Sequence, residues 1–210
     1  MNGEPHLLMI SGGIDSATLA YQAKSSNLNV VSAVFFDYGH EAAPRELHYS
    51  RRITLAKGFP FEPVDITGLK YLFFGLIPTD YHPLMAECHC GDPYAAHGIA
   101  ATYAVLRGVH KVLVGITKND VDEIRGWPQY IAKFSEAVSV LNNITFELVT
   151  PFVNLPKAEV LRLGVGLGLD FRETWACYSG NLLHCGKCVG CQRRKAAFAD
   201  AGLPDPTDYA

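Results

Sequence analysis

The segment Ser11-Gly12-Gly13-Ile14-Asp15-Ser16 restricts this chain more than any other, because it joins an apolar run directly to the start of a helical pattern. Paired glycines let the backbone pass close to an anion, while N–H groups and hydroxyls at a helix start can point at it. A Walker loop is excluded, since its Lys is missing, and so is the dinucleotide pattern G-x-G-x-x-G. The same strand-to-helix alternation continues downstream. His6 to Ile10, Val30 to Phe36, Phe61 to Ile66, Lys111 to Ile116 and Ile144 to Val149 read as strands. Asp15 to Ser26, Pro44 to Lys57, Pro93 to Arg107 and Gln129 to Leu141 read as helices. The pattern predicts an α/β fold with a parallel five-stranded sheet covered by helices on both faces. A further helix is expected from Leu155-Pro156, with Pro in its first turn, running out near Gly164, Gly166 and Gly168.

With 210 residues the chain reads as a single domain, 1–210. Hydrophobic residues make up 49% and charged residues 19%, which sets disorder aside. Thr67 to Asp92 is too long for an ordinary connection and reads as a lid or binding loop. The tail after Gly202, with Pro204 and Pro206, is expected to be loosely held. Eighteen Lys plus Arg against 21 Asp plus Glu give a net charge of -3, a field that does not attract nucleic acid or acidic membrane, so a small-molecule partner is expected. Met1 to His6 lacks the basic region of a secretory signal, and a cytoplasmic location follows as an expectation.

S-G-G-x-D-S resembles the PP-loop of the ATP pyrophosphatases, which split ATP between its α and β phosphates. On that likeness Ser11, Gly12, Gly13, Asp15 and Ser16 contact ATP, with Asp15 and Ser16 at the chemistry. An acidic residue in an anion-seeking loop makes sense if Mg2+ bridges Asp15 to the phosphates. The plainer alternative is that Asp15 or Ser16 caps a helix after a glycine turn. Asp37-Tyr38-Gly39 closes the second strand at the same carboxyl edge, where open α/β sheets bind ligands. Taken alone it reads equally as a turn.

Six cysteines in a cytosolic chain should be reduced, and Cys177, Cys185, Cys188 and Cys191 crowd into fifteen positions. Four thiolates with nearby glycines suit tetrahedral Zn2+ in a closed structural site, within a segment running from 174 to 195. Spacing leaves an iron–sulfur cluster open, and unliganded cysteines are the bland alternative. His184 is either an outer partner of the cluster, a solvent-facing residue or a substitute ligand. Cys88, His89, Cys90 and His97 offer a weaker second metal pattern.

Glu173-Thr174-Trp175-Ala176-Cys177-Tyr178-Ser179-Gly180 and the run Cys185-x-x-Cys188-x-x-Cys191-Gln192-Arg193-Arg194 complete a pattern that resembles the QueC family of the queuosine pathway, the 7-cyano-7-deazaguanine synthases. The likeness also includes Ser11 to Ser16, Phe36-Asp37-Tyr38-Gly39, Gly115 after the fourth strand, and Gly126-Trp127-Pro128 in place of the family's Gly-Tyr-Pro. It spans nearly the whole chain. The resemblance implies that ATP activates the carboxylate of 7-carboxy-7-deazaguanine as an acyl-adenylate, that ammonia forms an amide, and that a second ATP dehydrates the amide to the nitrile. Asp37, at the carboxyl edge, and Gly115 are read with the nucleotide and Asp122 and Trp127 with the base, while the family's members are often homodimers. Trp127 suits stacking and Asp122 suits accepting N–H donors. Core packing for the one and a solvated turn for the other are the competing readings.

Two departures stand out. Cys90-Gly91-Asp92-Pro93 occupies the place of the family's Pro-Gly-Arg-Asn, exchanging a cation for an anion, and Asp120-Val121-Asp122-Glu123-Ile124-Arg125 is longer than the family's approach to Gly126. They open a second reading, in which the activated carboxylate is joined to a protein amine such as an N-terminus, as in QueC-like proteins of bacterial defence clusters. A silent nucleotide-binding scaffold is the third.

Overall fold

Leu7 and Leu8 are neighbours in sequence, so strand alternation sends them to opposite faces of the sheet, and both are fully buried. The strand that carries them is therefore covered on both sides, as a central parallel strand must be. In this computed structural model, which describes residues 3–70, 93–123 and 126–210, β1 (Pro5–Met9) lies between β2 (Asn29–Asp37) and β4 (Lys111–Leu113). β3 (Phe61–Asp65) and β5 (Glu147–Val149) form the edges, giving the order β3-β2-β1-β4-β5 with every pair parallel.

One face is covered by α1 (Ile14–Ser25), α2 (Ala43–Lys57), α6 (Lys157–Gly166) and α7 (Val189–Ala201), around Leu8, Phe35, Leu113, Phe152, Leu161 and Phe198. The other is covered by α3 (Pro93–Val105) and α5 (Trp127–Asn142), around Leu7, Val34, Val112, Ala104 and Phe146. A short helix, α4 (Lys118–Glu123), follows β4. Asp120 in its first turn accepts from Thr117 N (2.8 Å) and Thr117 Oγ1 (2.7 Å), which ties the start of the helix to the residue before it. Asp120 and Asp122, for which a solvated turn was the competing reading, thus lie in a helix that runs to Glu123.

β4 and β5 are shorter than the apolar runs predict. Val114 N still donates to Val149 O at 2.9 Å, but Gly115 then leaves the sheet and presses against Asp15 and Ser16. Ahead of β5, Asn143 ends α5 in a left-handed conformation, φ +52°. Phe146 N donates to Ser139 Oγ at 2.9 Å, so Ile144 and its neighbours serve the helix end rather than the ladder.

α7 was not expected from the sequence. Cys188 caps it, its sulfur accepting from Cys191 N, and the cysteines hide an otherwise helical run. The tail is a correction too: it is not loose. Arg194 is fully buried and takes acceptors from the tail, Asp205 Oδ1 at 3.4 Å and Thr207 Oγ1 at 2.5 Å, while Tyr209 packs on His184. A buried guanidinium must be paired, and that requirement anchors the last residues. Thr67 begins a short 3-10 turn, Thr67–Leu69, and the remainder of the predicted lid beyond Lys70 lies outside the described residues, as do Cys88, His89 and Cys90.

Candidate active site and metal centre

The loop from Ser11 to Ser16 sits at the carboxyl end of β1, where Gly12 adopts φ +72°. A side chain there would suffer twice, since a Cβ would also fall 2.9 Å from Glu46 O. Gly13 is the N-cap of α1 and no side chain caps this helix. Neither Asp15 nor Ser16 is a capping residue, and the leading N–H groups of a twelve-residue helix are left for another partner. Ser11 and Ser16 line the turn with hydroxyls 3.1 Å apart, and Ser16 Oγ donates to Gly13 O at 3.3 Å. Gly115 brings β4 so close that a Cβ would lie 3.1 Å from Ser16 N.

Asp15 points from the first turn of α1 to Lys157, with Oδ2 2.9 Å from Nζ. About a fifth of each side chain stays exposed, 19% and 23%. Oδ1 is buried and has no partner. Burial pushes the Asp15 carboxyl up, and Asp120 adds to that push while Lys157 pulls it back. Burial alone would push the Lys157 ammonium down, but the Asp15 and Asp120 carboxylates outweigh it and keep the ammonium charged. An orphaned carboxylate oxygen at the mouth of an uncapped helix fits a divalent cation bridging to phosphate.

Lys157 was missed in the sequence, although a signal existed. It is the first residue of α6, where the helix dipole disfavours a cation. A lysine in that place needs a compensating partner. Asp120 was likewise passed over in favour of Asp122. Asp120 is the one near enough to act on the Asp15–Lys157 pair, whereas Asp122 is exposed and paired with Lys118 one turn back. Asp37 Oδ1 accepts from Gly39 N at 2.9 Å and so closes its own turn. Trp127 is buried, 5.8 Å from His97 and 5.4 Å from Tyr130 in edge-on contacts, with its indole N–H unpaired. His97 bonds Tyr130 Oη at 3.0 Å, so it is an aromatic-cluster residue here.

The four cysteine sulfurs lie within 4.8 Å of one another, and among the described residues this is the one such group. Cys185 and Cys191 are 4.0 Å apart, Cys177 and Cys188 3.9 Å. Backbone N–H groups of Lys187 and Cys188 aim at the Cys185 sulfur and lower its thiol to about 6, while burial pushes Cys191 up. Gly190 makes the approach possible: a Cβ would fall 2.0 Å from Ala176 O. His184 is buried, with Nε2 accepting from Ala176 N at 3.2 Å, so it stands behind the cluster and is not a ligand in this arrangement.

A parallel sheet of order β3-β2-β1-β4-β5 with the S-G-G-x-D-S loop of Ser11 to Ser16 after its central strand has the arrangement of a PP-loop protein. Solved structures support that fold. The U34-tRNA thiolase NcsA of Methanococcus maripaludis, which carries a [4Fe-4S] cluster, superposes with a TM-score of 0.57 at 15% identity, over 96% of this chain and 68% of its own. The NH3-dependent NAD synthetase of Campylobacter jejuni gives 0.53 at 19%, over 82% and 68%.

The profile of the family described as queuosine biosynthesis protein QueC matches residues 6–76 and 95–202, and the chain belongs to that family, whose members use ATP as enzymes of the PP-loop class. The 7-cyano-7-deazaguanine synthase of Porphyromonas gingivalis is 32% identical over 97% of this chain and 96% of its own. The synthase of Alteromonas mediterranea is 30% identical over 97% of each.

Proposed function

We propose that this protein, acting as one unit over residues 1–210, transfers AMP from ATP to the carboxylate of 7-carboxy-7-deazaguanine and then joins the activated carbon to an amine. With ammonia the product is the amide and, after a second ATP, the nitrile. The observation that carries the reading is the uncapped start of α1 facing Asp15 Oδ1 and Lys157, in a chain of the QueC family.

The amides and hydroxyls between Ser11 and Ser16 receive the outer phosphates as charge gathers on the departing pyrophosphate. Lys157, held charged by Asp15 and Asp120, supplies a cation on the same side. Mg2+, held through Asp15, would neutralise the remaining phosphate charge. No protein nucleophile is needed, because the acyl-adenylate already carries a good leaving group.

The four cysteines then hold a structural zinc ion. Four ligands about 2.3 Å from one centre stand roughly 3.8 Å apart, close to the 3.9 and 4.0 Å of two of the pairs in a set that lies within 4.8 Å. An iron–sulfur cubane binds each cysteine to a different iron and spreads the sulfurs wider.

Incubation with ATP, Mg2+, the carboxylate and ammonia, followed by mass spectrometry, tests the reading. Nitrile or amide together with AMP supports it. A mass adduct on a protein amine moves the acceptor to protein, and absence of AMP leaves only a scaffold. Asp15→Ala should abolish AMP release with the fold intact, and full activity in that variant would refute the assignment.

A further inference from the structure

Trp175 stands between the cysteine cluster and the phosphate loop. Its backbone N–H donates to Gly12 O at 2.8 Å, and its indole N–H donates to Cys177 O at 2.7 Å. The ring is buried, 2% exposed, with Tyr49 stacked at 5.7 Å on one side and His184 at 4.1 Å. Tyr49 also bounds the loop itself, since a Cβ on Gly12 would meet Tyr49 Cβ at 3.2 Å. Behind the indole, Trp175 shares one apolar cluster with Ala42, Cys177 and Cys191. The main chain at Ala176 is wedged against α7 by the Gly190 contact.

Gly12 holds a left-handed conformation that its neighbours must maintain, and its carbonyl is fixed by a donor only two residues from a sulfur of the cluster. Between the Cys177 main chain and Gly12 the path runs through two hydrogen bonds of Trp175, whose ring is buried and stacked on Tyr49. An ion that fixes Cys177 therefore fixes Trp175 and, through it, the amides of the loop.

We propose that Trp175 is a positioning residue through which the metal-loaded cysteine cluster shapes the phosphate loop, so that metal and nucleotide bind cooperatively. The inference rests on the reading that Ser11 to Ser16 receives a nucleotide. Coupling between two binding sites is reciprocal: if the metal favours nucleotide, nucleotide must favour the metal by the same factor.

The test is a competition in which a chromophoric chelator removes the co-purified metal, with and without the α,β-methylene analogue of ATP plus Mg2+. The analogue should raise the chelator concentration needed for half removal about fivefold, the low end of common coupling factors. Trp175→Phe keeps the backbone N–H and the stacking but loses the bond to Cys177 O. The variant loaded with metal should bind the analogue about fivefold more weakly in calorimetry and lose the protection, with KM for the carboxylate unchanged. A loaded variant that binds and protects like the parent overturns the proposal. So does a parent that binds the analogue while its metal ignores it, and that result, needing no substitution, leaves the nucleotide reading standing. If the loaded parent binds no analogue at all, both readings fall.

Discussion

Replacing Arg194 with methionine removes a buried charge without leaving a large hole. The guanidinium donates to Thr174 Oγ1 at 2.8 Å, to Phe171 O at 2.7 Å and to Thr207 Oγ1 at 2.5 Å, and it faces Asp205 Oδ1 at 3.4 Å. Thr174 Oγ1 also donates to Phe171 O, so that carbonyl keeps a partner in the variant. Asp205 keeps Thr207 and Tyr209 but loses its counter-charge. Stripping one partner from a buried pair costs about 3–5 kcal/mol. Asp205 is 15% exposed, so water offsets part of the loss and about 3 kcal/mol is expected. At about 2–4 °C per kcal/mol for a chain of this size, the melting temperature should fall by about 6–12 °C.

The pH dependence has a definite sign. Burial would push the Asp205 carboxyl up, yet Thr207, Tyr209 and Arg194 outweigh it and hold it below the usual range. A depressed carboxylate stabilises above its unfolded pKa and loses that contribution as pH falls through the folded value. The gap between parent and Arg194→Met should therefore be full at pH 7 and shrink in strong acid. Urea denaturation at several pH values reads it. Equal midpoints at pH 7, or a gap that does not change on acidification, would refute the reasoning.

Gly190→Ala should lose metal and stability together, because its Cβ would fall 2.0 Å from Ala176 O, and a variant with full metal stoichiometry by elemental analysis would contradict this. Burial lowers His97 to about 4 against 6.5 for a free imidazole. Below pH 6.5 the unfolded chain takes a proton that the native one refuses, so stability falls by about 1.4 kcal/mol per pH unit until the folded value is reached. His97→Leu should flatten the loss between pH 7 and pH 5 by about 2 kcal/mol, and parallel urea profiles for the two proteins would exclude it.

The sheet was legible because its central strands are apolar on both faces, and Leu7-Leu8 or Val112-Leu113 have no other use. The turn between β1 and α1 was legible because six consecutive residues carry it. What escaped depends on distant pairing. Lys157 meets Asp15 only after α6 docks beside α1, and Asp120 differs from Asp122 only in which side of one helical turn it occupies. α7 was hidden because Cys188 serves as its cap, a role that sequence habit gives to Ser or Asp. The tail looked free for the same reason: its anchor is an arginine whose burial no local pattern announces.

Gly12 is synthesised long before Trp175, the donor that fixes its carbonyl. At ordinary translation speeds the interval is on the order of ten to thirty seconds. Once β1 and α1 have left the ribosome, the turn between them still lacks that support until Trp175 follows. A chain cut short before Trp175 would carry an intact glycine signature without the donor that fixes its carbonyl, so a turn made among the first residues waits for its final support on one synthesised far later.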